Sequence, residues 1–299
     1  MITAEKGFLL LTSHLGDSSR KILTTAQLRT LARRVQAMQR PVHDRELEVK
    51  DLTALGYGQE MAERIIGLLS QEDLLEYYIS RGKRLGCVPV TRVSEAYPRL
   101  LRHRLGLDTP GCFWAKGDVS LLNTPAIALV GSRDLREENR CFAEEVGIQA
   151  ARQGLTLVSG NARGSDKIAQ NACLKAGGRV VSFVADELQK HPVQDRILYV
   201  SEDGYDEAFS AQRAISRNRC IHGLGRMVFV AQANLRKGGT WDGTTKNLQN
   251  GWSSVACFRD GSEASLILEQ MGAFLVSQQD LAVLESLSES DRNFLEGKV

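Results

Sequence analysis

The chain has 299 residues, of which 42% are apolar and 25% charged, and its formal net charge is +2. That length and composition suit a soluble globular protein of one large domain or two ordinary ones, with a substantial core. A charge so near balance excludes binding to nucleic acid or membrane by overall charge, so any such footprint is local.

The N-terminal stretch MITAEKGFLLLTSHLGDSSR has an apolar patch. It has no basic region ahead of that patch and no small-residue cleavage site, so it does not read as a secretory signal. No stretch approaches the roughly 20 apolar residues of a membrane span. The cysteines (Cys87, Cys112, Cys141, Cys173, Cys220, Cys257) form no C-x-x-C pair. This argues against zinc and against a disulfide framework. The expectation is a cytoplasmic protein with ordinary buried thiols, no metal and no cofactor.

In chain order, residues up to about 84 read as a small all-α domain (1–84). TTAQLRTLARRVQAM (24–38) places Leu28, Leu31, Val35 and Met38 at helical spacing, and Pro41 stops it. AERIIGLLSQEDLLEYYISRG (62–82) continues to Gly82. Between them, Leu55-Gly56-Tyr57-Gly58 followed by Ala62 and Ile65 resembles a helix-hairpin-helix. Such a Gly-x-Gly turn exposes N–H groups that can hold a DNA phosphate. A plain tight turn between packed helices accounts for the same residues equally well.

Residues 85–299 read as a second domain. YPRLLRHRLGLDTPGCFWAKGD (97–118), broken by prolines and glycines, is its entry segment. From 126 onward apolar strands alternate with amphipathic helices. The predicted strands are 126–130, 155–159, 179–184, 227–231 and 254–258; the predicted helices are 137–154, 166–178, 208–225 and 263–273. Continuous apolar strands separated by helices imply α/β: an extended Rossmann-like parallel sheet flanked by helices. The tail 277–299 is polar and reads as helical.

Ligands of such sheets bind beyond the carboxyl ends of the strands. Three loops there combine small residues with a cation. They are Gly131-Ser132-Arg133, then Ser159-Gly160-Asn161-Ala162-Arg163-Gly164-Ser165-Asp166, then 232–240 with Arg236, Lys237, Gly238, Gly239 and Thr240. Glycines admit close approach, helix starts favour anions, and arginine forks match phosphate. The three together predict a phosphate- or nucleic-acid-binding rim. The spacing fits neither G-x-G-x-x-G nor a P-loop. His222 is a lone histidine, and the structural role is the commoner one. Arg213, Arg217, Asn218 and Arg219 form a second cationic cluster. It is either a solvated face with a salt bridge to Glu207 or Asp206, or it brings Arg217 and Arg219 over the same rim.

AIALVGSRD, GLTLVSGNARGSDKIAQNACLKAGGRVVSF and FSAQRAISRNRCIHGLGRMVFVAQA occur in the order and spacing of the DprA/Smf (DNA-processing protein A) family. The entry segment and GSEASLILEQMGAFLV resemble the same family, so the resemblance covers about residues 97–276. It implies a non-catalytic single-stranded DNA-binding protein of DNA processing, uptake or recombination. It also implies a homodimer and the loading of the RecA recombinase during transformation. Carried over, its pocket falls on Gly131, Ser132, Arg133, Ser159, Gly160, Arg163, Gly164, Asp166, Arg217, Asn218 and Arg219. Asp166 would cap the helix that begins there or fix Arg163. The chain departs from the family's usual Gly-Ile-Asp and Ala-His at Gly164-Ser165-Asp166 and Ala169-Gln170. The loop 237–244 is also unusual, and no winged-helix segment follows. These departures suggest a divergent branch, as in a mobile element or a defence system.

In the DNA-binding reading, Arg133, Arg163, Arg217, Arg219 and Lys237 neutralise phosphates, with Gly239 and Thr240 beside them. Trp241 is the candidate for base stacking; loop anchoring is its other role. A second reading is a nucleotide-ligand sensor of the same superfamily. GGTWDGT resembles the Gly-Gly-x-Gly-Thr segment of its phosphoribohydrolases. Thr245, Lys246 and Asn247 follow where those enzymes place an acid, which argues against hydrolysis. A third, blander reading is a protein–protein adaptor.

Overall fold

The computed structural model describes residues 1–37 and 47–284. Met38, Pro41 and residues 285–299 lie outside the described residues. The chain opens with α1 (Thr3–Thr12), α2 (Thr25–Gln36), α3 (Val49–Ala54), α4 (Gln59–Leu69) and α5 (Glu72–Arg84). Thr24 starts α2 with a capping box: its hydroxyl accepts from the Gln27 amide, and the Gln27 side chain accepts from the Thr24 amide. Helices α3 and α4 meet at Gly56-Tyr57-Gly58, where Gly56 takes φ +83°. Leu11, Leu23, Leu52, Ala62, Ile65 and Leu68 form a small core among these helices.

Helices α1 and α5 also pack elsewhere. Leu9, Leu10, Leu75 and Tyr78 belong to the core on one face of the sheet. Tyr78 stacks on Tyr205 at 4.1 Å and meets Trp114 edge-on at 5.0 Å. Its hydroxyl donates to Asp206 at 2.5 Å, and Arg81 reaches the same carboxylate at 3.1 Å.

The rest of the chain builds one sheet. Its strands are β1 (Val88–Thr91), β2 (Cys112–Lys116), β3 (Ala126–Val130), β4 (Thr156–Ser159), β5 (Arg179–Phe183), β6 (Ile197–Ser201), β7 (Met227–Val230), β8 (Ser254–Phe258) and β9 (Phe274–Val276). Its helices are α6 (Arg99–Leu105), α7 (Glu137–Arg152), α8 (Ser165–Lys175), α9 (Ala211–Ser216), α10 (Asn218–Leu224), α11 (Gly238–Asn250) and α12 (Glu263–Gln270). The nine strands run in the order β1-β2-β6-β5-β4-β3-β7-β8-β9. Strands β3 to β9 pair in parallel, and β1–β2 and β2–β6 are antiparallel.

The parallel centre follows from residue choice. Every residue of β3 is buried. Ile127 and Leu129 enter the core on one face, and Ala128 and Val130 enter the core on the other. Helices cover both faces, so the strand is apolar throughout rather than alternating.

The expected Rossmann-like parallel sheet is present, and two antiparallel pairings, β1–β2 and β2–β6, extend it at one edge. The entry segment 97–118 does more than connect: it contains α6 and the fully buried β2. The predicted helix 208–225 is two helices, α9 and α10, meeting at Arg217. Of the thiols, five are buried and Cys141 is exposed. Among the described residues, no helix is long and apolar enough to cross a membrane.

The order places β3 between β4, which follows it, and β7, which returns on its other side. Successive crossovers diverge at this switch point, leaving a crevice at the strands' carboxyl ends.

Candidate functional site

A cavity of about 450 Å³ fills that crevice. Among its lining residues are Gly131, Ser132, Arg133, Asp166, Arg217, Asn218, Lys237, Gly238, Gly239 and Thr240. The loops after β3, β4 and β7 therefore converge, as the sequence predicts. A smaller slot of about 210 Å³ adjoins the cavity, sharing Arg133, Ala162, Ala214 and Arg217 with it. Arg163 lines the slot.

The loops are tied to one another. Gln232, just after β7, accepts from the Ser132 amide through its carbonyl (2.9 Å) and from the Arg136 amide through its side chain (3.0 Å). Its side-chain amide donates to the Asp134 carbonyl at 3.1 Å. The Ser165 amide and hydroxyl both donate to the Ser132 carbonyl, joining α8 to the β3 loop. Gln232 opens the third of the predicted loops, and nothing in the sequence besides its place just after a strand marks its side chain as the tie.

Gly164 precedes α8 at φ +88° and ψ −132°, a region only glycine occupies comfortably. A Cβ there would lie 2.4 Å from the Arg133 carbonyl oxygen and 2.6 Å from that of Ser132. Gly164→Ala is therefore expected to cost at least about 2 kcal/mol in urea unfolding. It should also loosen the β3 loop from α8.

Arg217 is buried, 8% exposed, and its guanidinium donates to the Phe183 carbonyl. It faces Asp166 across Gly160, where an added Cβ would sit 2.5 Å from each side chain. Burial raises the Asp166 carboxyl to about 6, against the lowering effect of Arg217, the Ala162 amide, Lys167 and Arg133. Burial lowers Arg217, which Asp166 and Asp186 oppose. The cavity floor is thus a cation and a carboxyl poised near neutrality.

Helices α8 and α11 both begin at this rim. Their N-termini add partial positive charge to Arg133, Arg217 and Lys237. Asn218 lines the cavity and donates to the Gly239 carbonyl at 2.9 Å, holding the start of α11. Such a basin suits a phosphate group.

Several expected placements are corrected. Arg219 turns away from the basin to Glu202 at 2.7 Å, because it sits two residues along the α10 turn from Arg217. Arg213 pairs with Asp203 at 2.9 Å rather than with Asp206 or Glu207, and it collects the Ala185, Glu207 and Ala208 carbonyls. It pins the segment leading into α9. Asp166 accepts from the Ala162 amide at 3.2 Å instead of capping α8, whose N-cap is Gly164. Arg163 pairs with Asp134 at 2.9 Å, not with Asp166.

The Ser159 hydroxyl is fully buried and accepts from Gln170 at 2.8 Å. The same Gln170 amide reaches the Gly160 carbonyl and the Ser182 hydroxyl. Ser159 and Gly160 are thus inside the wall, not on the lining. Trp241 is only 9% exposed, because Gly238–Asn250 is a helix and its phase turns the indole into the core. It is an anchor, not a stacking platform. His222 is fully buried, and burial lowers it to about 3, so it stays neutral. Among the described residues, no group of His, Cys, Asp or Glu is placed to hold a metal ion.

Comparison with known proteins adds the lineage. The model of the family "DNA recombination-mediator protein A" matches residues 89–280, well over half of the chain. The chain belongs to that family. It is 36% identical over 141 residues to the DNA processing protein DprA of Streptococcus pneumoniae, covering 44% of this chain and 50% of that protein. The chain spans about half the length of the curated relatives it matches. The X-ray structure of DprA from Streptococcus pneumoniae superposes with TM-score 0.72 at 26% identity, covering 94% of this chain and 97% of that one. DprA from Helicobacter pylori, solved for its single-stranded DNA binding mode, shares the fold with TM-score 0.54 at 20% identity, over 71% of this chain and 94% of that one.

Proposed function

We propose that this chain binds single-stranded DNA through phosphates seated in the basin between β3, β4 and β7, in DNA processing and without a catalytic step. The observation that carries the reading is the convergence of Arg133, Arg217 and Lys237 with two helix starts at the switch point of the sheet. The family membership supports it, as does the DNA binding of the Helicobacter pylori relative. His222, sealed and neutral, offers no general base. Homodimer formation and delivery of the strand to RecA belong to the same proposal. Sedimentation and a pull-down with purified RecA test them.

The binding test is fluorescence anisotropy of a labelled single strand at several salt concentrations, with duplex competitor. Affinity should fall with salt by a log–log slope of about −0.7 per phosphate held. Arg133 is exposed at the rim. Arg133→Ala should therefore flatten the slope by about 0.7 with the melting temperature unchanged. No binding by the folded protein at low salt would sink the reading. If mononucleotides alone displaced a fluorescent nucleotide from the basin, the nucleotide-sensor alternative would take its place.

A further inference from the structure

A second cavity, of about 470 Å³, opens between the N-terminal helices and the sheet. Arg213, Ser216 and Arg219 line it, whereas Ala214, Arg217 and Asn218 line the basin, and the two cavities share no residue. Ile22, Leu23, Leu28 and Pro110 give it an apolar part, and Glu202, Asp203 and Glu207 give it carboxylates. We infer that this cavity is a binding site for a small molecule with an ammonium or amidinium head and an apolar body.

Hydrogen-bonding capacity is the first observation behind it. The guanidiniums are largely spent. Arg213 donates to Asp203, to the Ser201 hydroxyl and to three carbonyls, and Arg219 donates to Ser216 and Glu202. Acceptors are left over. The Glu207 carboxylate accepts no hydrogen bond among the described residues, and Asp203 commits one oxygen to Arg213. Arg219 Nε and His14 Nδ1 also have no partner, but both are sealed from water and out of a ligand's reach. A site with acceptors to spare takes a donor, and an ammonium carries three.

Charge is the second. Three carboxylates face two guanidiniums, so with His14 neutral one negative charge is uncompensated. Burial pushes the Glu207 carboxyl up, against the pull of His14 and Arg213, and Asp203 and Asp206 push it the same way. A cation beside it would offset both effects. Form is the third. The volume falls within the roughly 300–1,000 Å³ of small-molecule sites. The walls are tied together, since the Ser13 hydroxyl and the His14 amide donate to the Asp203 carbonyl at 2.9 and 3.3 Å. The cavity therefore stands formed before a ligand arrives, which lowers the cost of binding.

The experiment titrates the full chain with benzylamine and benzamidine by isothermal calorimetry. Benzyl alcohol and benzoate serve as the neutral and anionic counterparts. At least one of the cations should bind with Kd below about 1 mM, and the counterparts should bind at least about tenfold more weakly. Glu207→Gln keeps the shape and removes the charge, so it should weaken the cation at least about tenfold. Its urea midpoint should be unchanged or higher, because the carboxylate it removes is half-buried and unpaired. Gln212 is exposed where α9 meets the cavity, and Gln212→Trp should crowd the site and lower affinity likewise. Arg133→Ala, in the basin, should leave the cation's affinity unchanged. Failure of both cations to bind would overturn the site. So would equal binding of benzoate, or undiminished affinity in Glu207→Gln.

Discussion

Arg217→Ala is expected to abolish single-strand binding by the folded protein and to lower its stability by about 3 kcal/mol. Arg217 lies in the basin floor and is nearly all buried. Its removal takes away the deepest cation and leaves the Phe183 carbonyl without its donor. It also leaves the buried Asp166 carboxyl without the charge opposite it. Breaking one side of such a pair typically costs about 3–5 kcal/mol. Asp166 can neutralise itself by taking a proton, which places the loss at the lower end of that range. The second variant, Arg217→Ala with Asp166→Asn, separates the two effects. Urea unfolding should recover more than half of the lost stability, because no buried charge remains. Anisotropy should show no recovery of binding. Recovery of both would mean that Arg217 acts on DNA only by supporting the fold. Full binding by Arg217→Ala would remove the basin from the mechanism.

The second large effect is a pH dependence set by Asp166. Its folded value of about 6 lies above the ordinary carboxylate value because of burial. A group raised in this way contributes stability that is present below the unfolded value of about 4 and lost as pH rises through about 6. The contribution is on the order of 3 kcal/mol across that window. Asp166→Asn should flatten the stability profile there, read as the urea midpoint against pH.

Binding follows the same proton. Above pH of about 6 the ionised carboxylate opposes a phosphate in the basin, and below it that repulsion is gone. Affinity for a single strand should therefore rise about tenfold between pH of about 7.5 and about 5.5. That is a fraction of the ~4 kcal/mol between like charges 4 Å apart near a protein surface. Measuring both proteins at each pH lets the Asp166→Asn difference isolate this carboxyl. Parallel profiles for the two proteins would contradict the role given to Asp166.

How much of this was legible in advance depended on the range of the forces involved. The strands β3, β4, β5, β7 and β8 and the helices α7, α8 and α12 fall where apolar runs and helical spacing predict them. These signals are local: a strand covered on both faces must be apolar throughout, whatever its neighbours. The phosphate loops are legible for the same reason, since small residues and a cation after a strand report the backbone's needs on the spot. Strands β1, β2, β6 and β9 were not legible. β2 lies among prolines and glycines, β9 has three residues, and the antiparallel pairing of β1 with β2 and of β2 with β6 leaves no mark in spacing.

Residue by residue, the sequence by itself determined which loops carry the cations and that they lie at the strands' carboxyl ends. It also determined that Gly131, Arg133 and Lys237 belong to one rim, and it left Arg217 between that rim and a solvated face. Only the tertiary structure decided which side chains point into the cavity. Arg217 and Arg219 are two residues apart, and the turn of α10 sends one to the basin and the other to Glu202. Glycines and threonines in 238–250 argue for a loop, yet burial of Trp241, Thr244 and Asn247 makes that segment a helix. That helix removes the indole from solvent. Composition and spacing record what a residue can do. The phase of a helix and the meeting of distant segments choose where it does it, because packing energy is gained only after the chain has folded back on itself.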